Sequence, residues 1–224
     1  MDRKRHRTWV VIAAYNEAAV IEHVVMSVVR DGWNVVVVDD GSRDATAERA
    51  RAGGAVVLRH SINLGQGAAL QTGIDYALRR NADAIVTFDA DGQHDPADIP
   101  TLLDALEHHD IALGSRFLGS VEGATQRRMV MLRAAVMMSN RLAGLRLTDA
   151  HCGLRGFRAS AAPHLRITQD RMAHASELLK KVQKSGLSYT EVPITIRYTA
   201  HSRAKGQTGF QAIRILFDYF FRAS

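Results

Sequence analysis

Apolar positions follow two alternating rhythms through the first half of this chain. Short runs dominated by β-branched residues recur as "TWVVIAAY" (8–15), "NVVVVDD" (34–40), "AVVLRH" (55–60), "DAIVTFD" (83–89) and "DIALGSR" (110–116), and they predict strands. Between them, "EAAVIEHVVMSVVR" (17–30), "DATAERARA" (44–52), "GAALQTGIDYALRR" (67–80) and "PADIPTLLDALEHH" (96–109) carry apolar residues at helical spacing. Val20, Ile21, Val24, Val25 and Val28 show that spacing most clearly. Asp44 is placed to cap the second helix, and Pro96 opens the fourth. The order is β-α-β-α-β-α-β-α-β. Strands that are apolar throughout belong to a sheet covered on both faces. The expected fold class is therefore α/β, a doubly wound, mostly parallel sheet with helices on both faces.

The second half is less regular. It predicts a Met-rich helix over 127–145, a short strand and turn over 153–160, and an amphipathic helix over 172–186 closed by Gly186. A strand over 188–199 contains Pro193, which suits an edge or kinked strand. A last helix covers 209–222, with an apolar face that would pack on the core, lie at a membrane interface or meet a membrane partner. No repeat or linker interrupts the chain, so residues 1–224 are read as one domain.

A doubly wound sheet binds its ligand beyond the carboxyl ends of its strands. Those ends carry Tyr15, Asn16 and Glu17, then Asp39 and Asp40, Asn63, Asp89 and Asp91, and Ser115 and Arg116. Five predicted strands thus place polar groups on one edge. The stretch "FDADGQHDP" (88–96) is the most concentrated. Asp89 and Asp91 flank Ala90 and can face one divalent ion, Gly92 permits a sharp turn, and Gln93 offers an amide oxygen. Carboxylate, amide and water oxygens suit Mg²⁺ or Mn²⁺. A calcium-binding EF-hand loop also begins D-x-D-G, but it requires Glu at position twelve, which is Pro100 here. "NLGQGAALQTG" follows the third strand rather than the first and lacks the third glycine of a dinucleotide fingerprint.

Charge sharpens this picture. Net charge is +6, yet residues 31–120 hold 14 acids against 7 bases, whereas residues 151–224 hold 12 bases against 4 acids. A phosphate-bearing substrate accompanied by a divalent ion would use both halves. Nucleic acid is not an expected partner. The single cysteine, Cys152, excludes an internal disulfide framework and reads as a buried apolar residue in a reducing compartment. The N-terminal apolar run reaches Asn16 and Glu17 too soon for a signal peptide, and no stretch attains the ~18 apolar residues of a membrane span. The expected location is cytoplasmic, peripheral on the inner face of the membrane. His94, His151, His174 and His201 lack metal-ligand spacing.

"AAYNE", "VVDDGSRDAT", "NLGQGAAL", "FDADGQHDP" and "LGSRF", in this order at strand ends, resemble family 2 glycosyltransferases of the GT-A fold. The similarity is nearer to the branch that transfers sugars to dolichyl or polyprenyl phosphate, and it spans roughly residues 8–207. The resemblance implies that Tyr15, Glu17, Asp39 and Asp40 hold the base and ribose of a nucleotide-sugar donor. It implies that Asp89, Asp91 and Gln93 form the D-x-D metal and diphosphate site, with Mg²⁺ or Mn²⁺, and that Arg116 faces the phosphates. "TDAHCGLRGFR" matches the family's D-x-x-x-G-x-R segment through Asp149, Gly153 and Arg155. Arg197, Ser202, Arg203 and Lys205 of "IRYTAHSRAKGQ" would bind donor or acceptor phosphates. The catalytic set is Asp91, with Asp149 and Glu177 as carboxylate bases should the acceptor be an alcohol. The family's usual Pro before Tyr-Asn-Glu is Ala14 here, and the processive-synthase motif Q-x-x-R-W is absent. The implied reaction is metal-dependent, inverting transfer from a GDP- or UDP-sugar to a polyprenyl phosphate, with a membrane surface or membrane protein as partner. A hydroxyl acceptor in cell-wall or surface-glycan synthesis, or a non-catalytic nucleotide-binding subunit, are the alternatives.

Overall fold

The computed structural model describes residues 3–168 and 173–198. The elements in chain order are α1 (Arg3–His6), β1 (Thr8–Ala14), α2 (Ile21–Arg30), β2 (Asn34–Asp39), α3 (Thr46–Ala52), β3 (Val56–Arg59), α4 (Gln66–Arg79), β4 (Ala84–Asp89), α5 (Ile99–Ala105), β5 (Ile111–Glu122), α6 (Gln126–Ala143), β6 (Arg155–Arg158), α7 (Ala173–Ser185) and β7 (Tyr189–Arg197). Among the described residues no helix is long and apolar enough to cross a membrane. The predicted helix over 209–222 lies outside them.

The strands form one sheet in the order β3-β2-β1-β4-β6-β5-β7. β1 to β4 pair in parallel, as does β5 with β7, whereas β6 runs antiparallel to both neighbours, β4 and β5. The sheet is thus mostly parallel, as the apolar runs predict. β7 is an edge strand, which accommodates Pro193.

Both faces of the sheet are covered. Val10 and Ile12 of β1 and Val35 and Val37 of β2 pack with Val24, Val25 and Val28 of α2 and Leu102 of α5. The intervening Val11 and Val36 point the other way, to Leu70 and Ile74 of α4, Val136 of α6 and Val182 of α7. Alternate residues must therefore all be apolar, which is why "NVVVVDD" shows no polar alternation. Each such side chain, fully buried, contributes about 1.5–3 kcal/mol.

Several boundaries differ from the sequence reading. The first long helix begins at Ile21, not Glu17, because residues 15–20 form a turn. Asn16 adopts φ +54°, and the Glu17 carbonyl accepts hydrogen bonds from the N–H groups of Val20 and Ile21. The stretch 96–109 starts as a 3-10 turn, Pro96–Asp98, before α5, and Asp95 caps it by accepting from the Ala97 N–H at 3.0 Å. β5 continues beyond Arg116 to Glu122, since β7 offers partners past an irregularity between Ser115 and Ser120.

Register sets the position of the site. Ala14 lies opposite Asp39 and Ala13 opposite Asp89, so the carboxyl ends of β2, β1 and β4 align.

Candidate active site

At the end of β1, Tyr15 is 42% exposed. The following turn is held by its neighbour across the sheet edge. The Asn16 N–H donates to Ser42 Oγ at 2.9 Å, the Arg43 N–H donates to Asn16 Oδ1 at 2.9 Å, and the Glu17 N–H donates to Thr46 Oγ1 at 2.8 Å. Asp44 accepts from the Thr46 N–H at 3.1 Å and from the Ala18 N–H at 3.2 Å, so it fastens the start of α3 to the β1 loop.

Asp39 and Asp40 are both buried. Asp39 accepts from the Ser42 N–H at 3.0 Å and lies 3.1 Å from Arg59 Nε. Asp40 accepts from the N–H groups of Leu64 (2.9 Å) and Gly65 (2.8 Å), and His60 Nδ1 sits 2.7 Å from its Oδ1. The two carboxylates thus hold the turn after β2 and the glycine-rich loop before α4. Gly65 enters that helix at φ +101°, a left-handed value that glycine reaches without steric cost. These contacts tie both residues to the loops that border the site, and Asp39 Oδ2 keeps an acceptor position at which no hydrogen-bond donor among the described residues is aimed.

At the end of β4, Asp89 keeps 34% of its side chain open, and His94 Nε2 lies 2.9 Å from its Oδ2. The His94 ring is buried and packs edge-on to Phe88 at 5.4 Å. Sequence spacing assigned this histidine no role, and the signal that could have found it is its place five residues after Asp89 in the same turn. Asp91 accepts from the Gln93 N–H at 3.0 Å, and the Gln93 side-chain N–H donates to the other Asp91 oxygen. Gln93 therefore holds Asp91 through its donor end, where the sequence reading used its amide oxygen. Burial first, and the charge of Asp89 second, hold the Asp91 carboxyl above the usual carboxylate range.

Gly153 closes the space beside Asp89. A Cβ at this position would lie 2.6 Å from Asp89 Cγ and closer still to both oxygens, so only a bare backbone fits. Thr87 Oγ1 donates to the Gly153 carbonyl at 2.7 Å and fixes it there. Behind Asp89 lies a cavity of about 150 Å³ lined by Gln66, His151, Gly153, Arg155 and Leu178, among others. Arg155 is buried, and its Nη2 donates a long hydrogen bond, 3.4 Å, to the Ala150 carbonyl.

Among the described residues no three His, Cys, Asp or Glu side chains form a ready-made metal cage. Asp89 and Asp91 nonetheless suit a hard divalent ion. They are oxygen donors on one turn, their charges repel each other, and Asp89 keeps 34% of its side chain open.

The remaining carboxylates have structural partners. Asp149 forms a buried ion pair with Arg116, its Oδ2 2.5 Å from Nε, and also accepts from the Arg116 and His151 N–H groups. Arg116 Nη1 donates to Tyr198 Oη at 3.0 Å. The guanidinium expected to face phosphates is therefore clamped between Asp149 and Tyr198, a partnership across 33 and 82 residues that sequence could not display. Glu177 accepts from the Thr168 N–H at 3.0 and 3.1 Å, and Lys181 Nζ lies 2.6 Å from its Oε1. Arg197 pairs with Asp95 and, at 3.1 Å, with Glu122, so the expected phosphate contact is likewise engaged in the structure. Its N–H donates to the Gln93 carbonyl at 2.9 Å, fastening the end of β7 to the Asp89–Asp95 turn. Ser202, Arg203 and Lys205 lie outside the described residues.

The glycosyl transferase family 2 model matches residues 9–166. The UDP-N-acetylglucosamine–dolichyl-phosphate N-acetylglucosaminyltransferase of Methanococcus voltae is 31% identical over 96% of this chain and 93% of its own length. The polyprenol monophosphomannose synthase of Mycolicibacterium smegmatis is 32% identical over 86% of this chain and 78% of its own. In three dimensions the chain is similar to glucosyl-3-phosphoglycerate synthase from Mycobacterium tuberculosis, solved with Mn²⁺, UDP-glucose and phosphoglyceric acid, at a TM-score of 0.68 and 21% identity, covering 94% of this chain and 78% of that one. The fold is GT-A and the protein is a glycosyltransferase. The chain belongs to glycosyl transferase family 2, in its branch of polyprenyl-phosphate sugar transferases.

Proposed function

We propose that this protein moves a sugar from a GDP- or UDP-sugar to a polyprenyl phosphate, with inversion and with help from Mg²⁺ or Mn²⁺. The observation that carries the reading is the Asp89–Asp91 turn, where two carboxylates repel each other and the bare backbone of Gly153 packs against Asp89. Asp89 and Asp91 would hold the metal, which supplies charge neutralisation for the departing diphosphate. His94 orients Asp89, and Gln93 orients Asp91. Tyr15 and Glu17, at the end of β1, border the nucleotide. Asp39 and Asp40 fix the loops around it. The sugar enters the cavity behind Asp89, with Arg155 and His151 as its polar walls.

In the transfer, an oxygen of the acceptor phosphate bonds to the anomeric carbon. The bond from that carbon to the diphosphate oxygen breaks, and its electron pair leaves with the nucleoside diphosphate. A phosphate monoester loses its second proton near pH ~6, so at neutral pH the nucleophile is already ionised. No general base is then needed. This agrees with Asp149 being held by Arg116, and Glu177 by Thr168 and Lys181. A hydroxyl acceptor would need one of these carboxylates released. The peripheral position on the inner membrane face follows from the lipid acceptor.

The test is a transfer assay with GDP- and UDP-sugars, Mg²⁺ or Mn²⁺, with and without polyprenyl phosphate. Product is expected only with metal and lipid phosphate, and Asp89→Ala and Asp91→Ala should each abolish it. Metal-free activity in both variants would refute the site assignment. Transfer that ignores lipid phosphate would favour the hydroxyl-acceptor alternative.

A further inference from the structure

The end of β7 reaches across to the turn that carries Asp89 and Asp91. β7 lies at the sheet edge beside β5, and two strands separate it from β4. Its last residues nonetheless bond to the chain that follows β4. The Thr195 N–H donates to Asp98 Oδ2 at 2.7 Å, Ile196 bridges antiparallel to His94, and the Arg197 N–H donates to the Gln93 carbonyl at 2.9 Å. The Arg197 guanidinium then spans two carboxylates. Its Nη1 pairs with Asp95, and its Nε lies 3.1 Å from Oε2 of Glu122, the last residue of β5. The bonds of Asp91 to Gln93 and of Asp89 to His94 set the inner shape of the turn. The contacts with β7 set where that turn stands relative to the sheet.

We propose that Arg197 is a positioning residue for the metal ion: by clasping Asp95 to Glu122 it holds the Asp89–Asp91 turn in place for a divalent cation. The proposal rests on the reading of Asp89 and Asp91 as the groups that hold the metal. Global stability is not what the clasp supplies. Arg197 is 49% exposed and Glu122 59%, and ion pairs this open contribute little to the fold. Its effect is local and passes through Gln93, whose carbonyl is held by the Arg197 N–H and whose own N–H groups hold Asp91. Arginine suits the task, because its planar fork aims donors at two carboxylates in fixed geometry, whereas a lysine ammonium is a single point charge.

Titration of the full-length protein with Mn²⁺ in the absence of nucleotide, read by electron paramagnetic resonance of the free ion, tests it. Charge and position predict opposite signs. Removing a cation beside a dication site should tighten Mn²⁺ binding through Coulomb's law alone. Loss of the clasp should weaken it. Groups that support metal ligands contribute about 10–100-fold in affinity, and Arg197 acts one step further out, so Arg197→Gln should bind Mn²⁺ roughly tenfold more weakly. It should also need correspondingly more Mn²⁺ for half-maximal transfer. Asp95→Asn, whose amide oxygen can still cap Ala97, should weaken binding as well, and the double variant should lose less than the product of the two single losses. Arg197→Lys should fall between Arg197→Gln and the wild type. Melting temperatures should stay within about 4 °C of the wild type. Mn²⁺ binding by Arg197→Gln as tight as that of the wild type, or tighter, would overturn the proposal. So would unchanged Mn²⁺ binding with lost affinity for UDP or GDP, which would make Arg197 a phosphate contact. Weakened Mn²⁺ binding in a protein whose wild type transfers no sugar would leave the clasp standing and overturn only the transfer reading. A wild type that binds no Mn²⁺ would overturn the metal site and the clasp with it.

Discussion

Gly153→Ala tests the geometry around Asp89 directly. The added Cβ would sit 2.6 Å from Asp89 Cγ, where ordinary contact begins near 3.4 Å, so the two groups must separate by roughly 1 Å. The Gly153 backbone cannot simply retreat, since its carbonyl accepts from Thr87 Oγ1 on β4. Overpacking of this kind costs about 1–3 kcal/mol. For a chain of this length that lowers Tm by roughly 2–12 °C. A 1 Å displacement of a substrate-positioning group costs about 10²-fold in rate, so kcat/KM for sugar transfer should fall by about that factor. Melting curves and steady-state transfer rates measure both quantities. The Asp89→Ala background removes the carboxylate that the new methyl strikes, so the stability cost of Gly153→Ala should shrink there by more than about 0.5 kcal/mol. A Gly153→Ala protein with wild-type Tm and kcat/KM, or an equal cost in both backgrounds, would refute the contact.

Two further outcomes follow from buried charge and burial alone. Asp149→Ala leaves the Arg116 guanidinium buried without its carboxylate and should cost about 3–5 kcal/mol in urea unfolding, with replacement of both residues by apolar ones recovering much of it. A single-variant cost below about 1 kcal/mol would contradict the buried pair. Burial pushes the Cys152 thiol up to about 12, so the native protein should resist iodoacetamide at pH 8 and react only when unfolded, as read by mass spectrometry. Because the native pKa lies above that of the unfolded thiol, Cys152 adds no pH dependence below about pH 9 and destabilises the fold as pH rises beyond it; rapid native labelling at pH 8 would count against that burial.

The parallel core was legible because its information is local. Four consecutive valines in β2 serve two faces at once, and no other element type suits so short a run between polar ends. The turn that Pro96 opens was legible for the same reason, with Asp95 bonding Ala97 two residues on, whereas α3 begins one residue later than a cap at Asp44 implies. The antiparallel entry of β6 was not, because nothing in "RGFR" distinguishes its direction; Gly156 lies opposite Val86 and Ala112 only after the chain has returned. The candidate site divides likewise. The Asp89–Asp91–Gln93 turn lies within five residues and could be read directly. The occupancy of Asp40 by His60 and Gly65, of Asp149 by Arg116, and of Arg197 by Asp95 and Glu122 depends on pairings 20 to 102 residues apart. Charge type was visible in the sequence, but whether a charge was already spent on the protein itself was not.

The place of β6 also dictates an order of assembly. The strands β1, β2, β3 and β4 join neighbours already synthesised, so residues 8–89 can close as a unit during translation. β5 cannot join them, because the strand that bridges it to β4 is formed by residues 155–158. Until those emerge, a nascent chain carries open edges on β4 and on both sides of β5. Unpaired edges of this kind recruit other chains. Fragments that end between residues 122 and 155 are therefore the aggregation-prone ones, and a ribosome pausing in that interval holds the protein at its most vulnerable length.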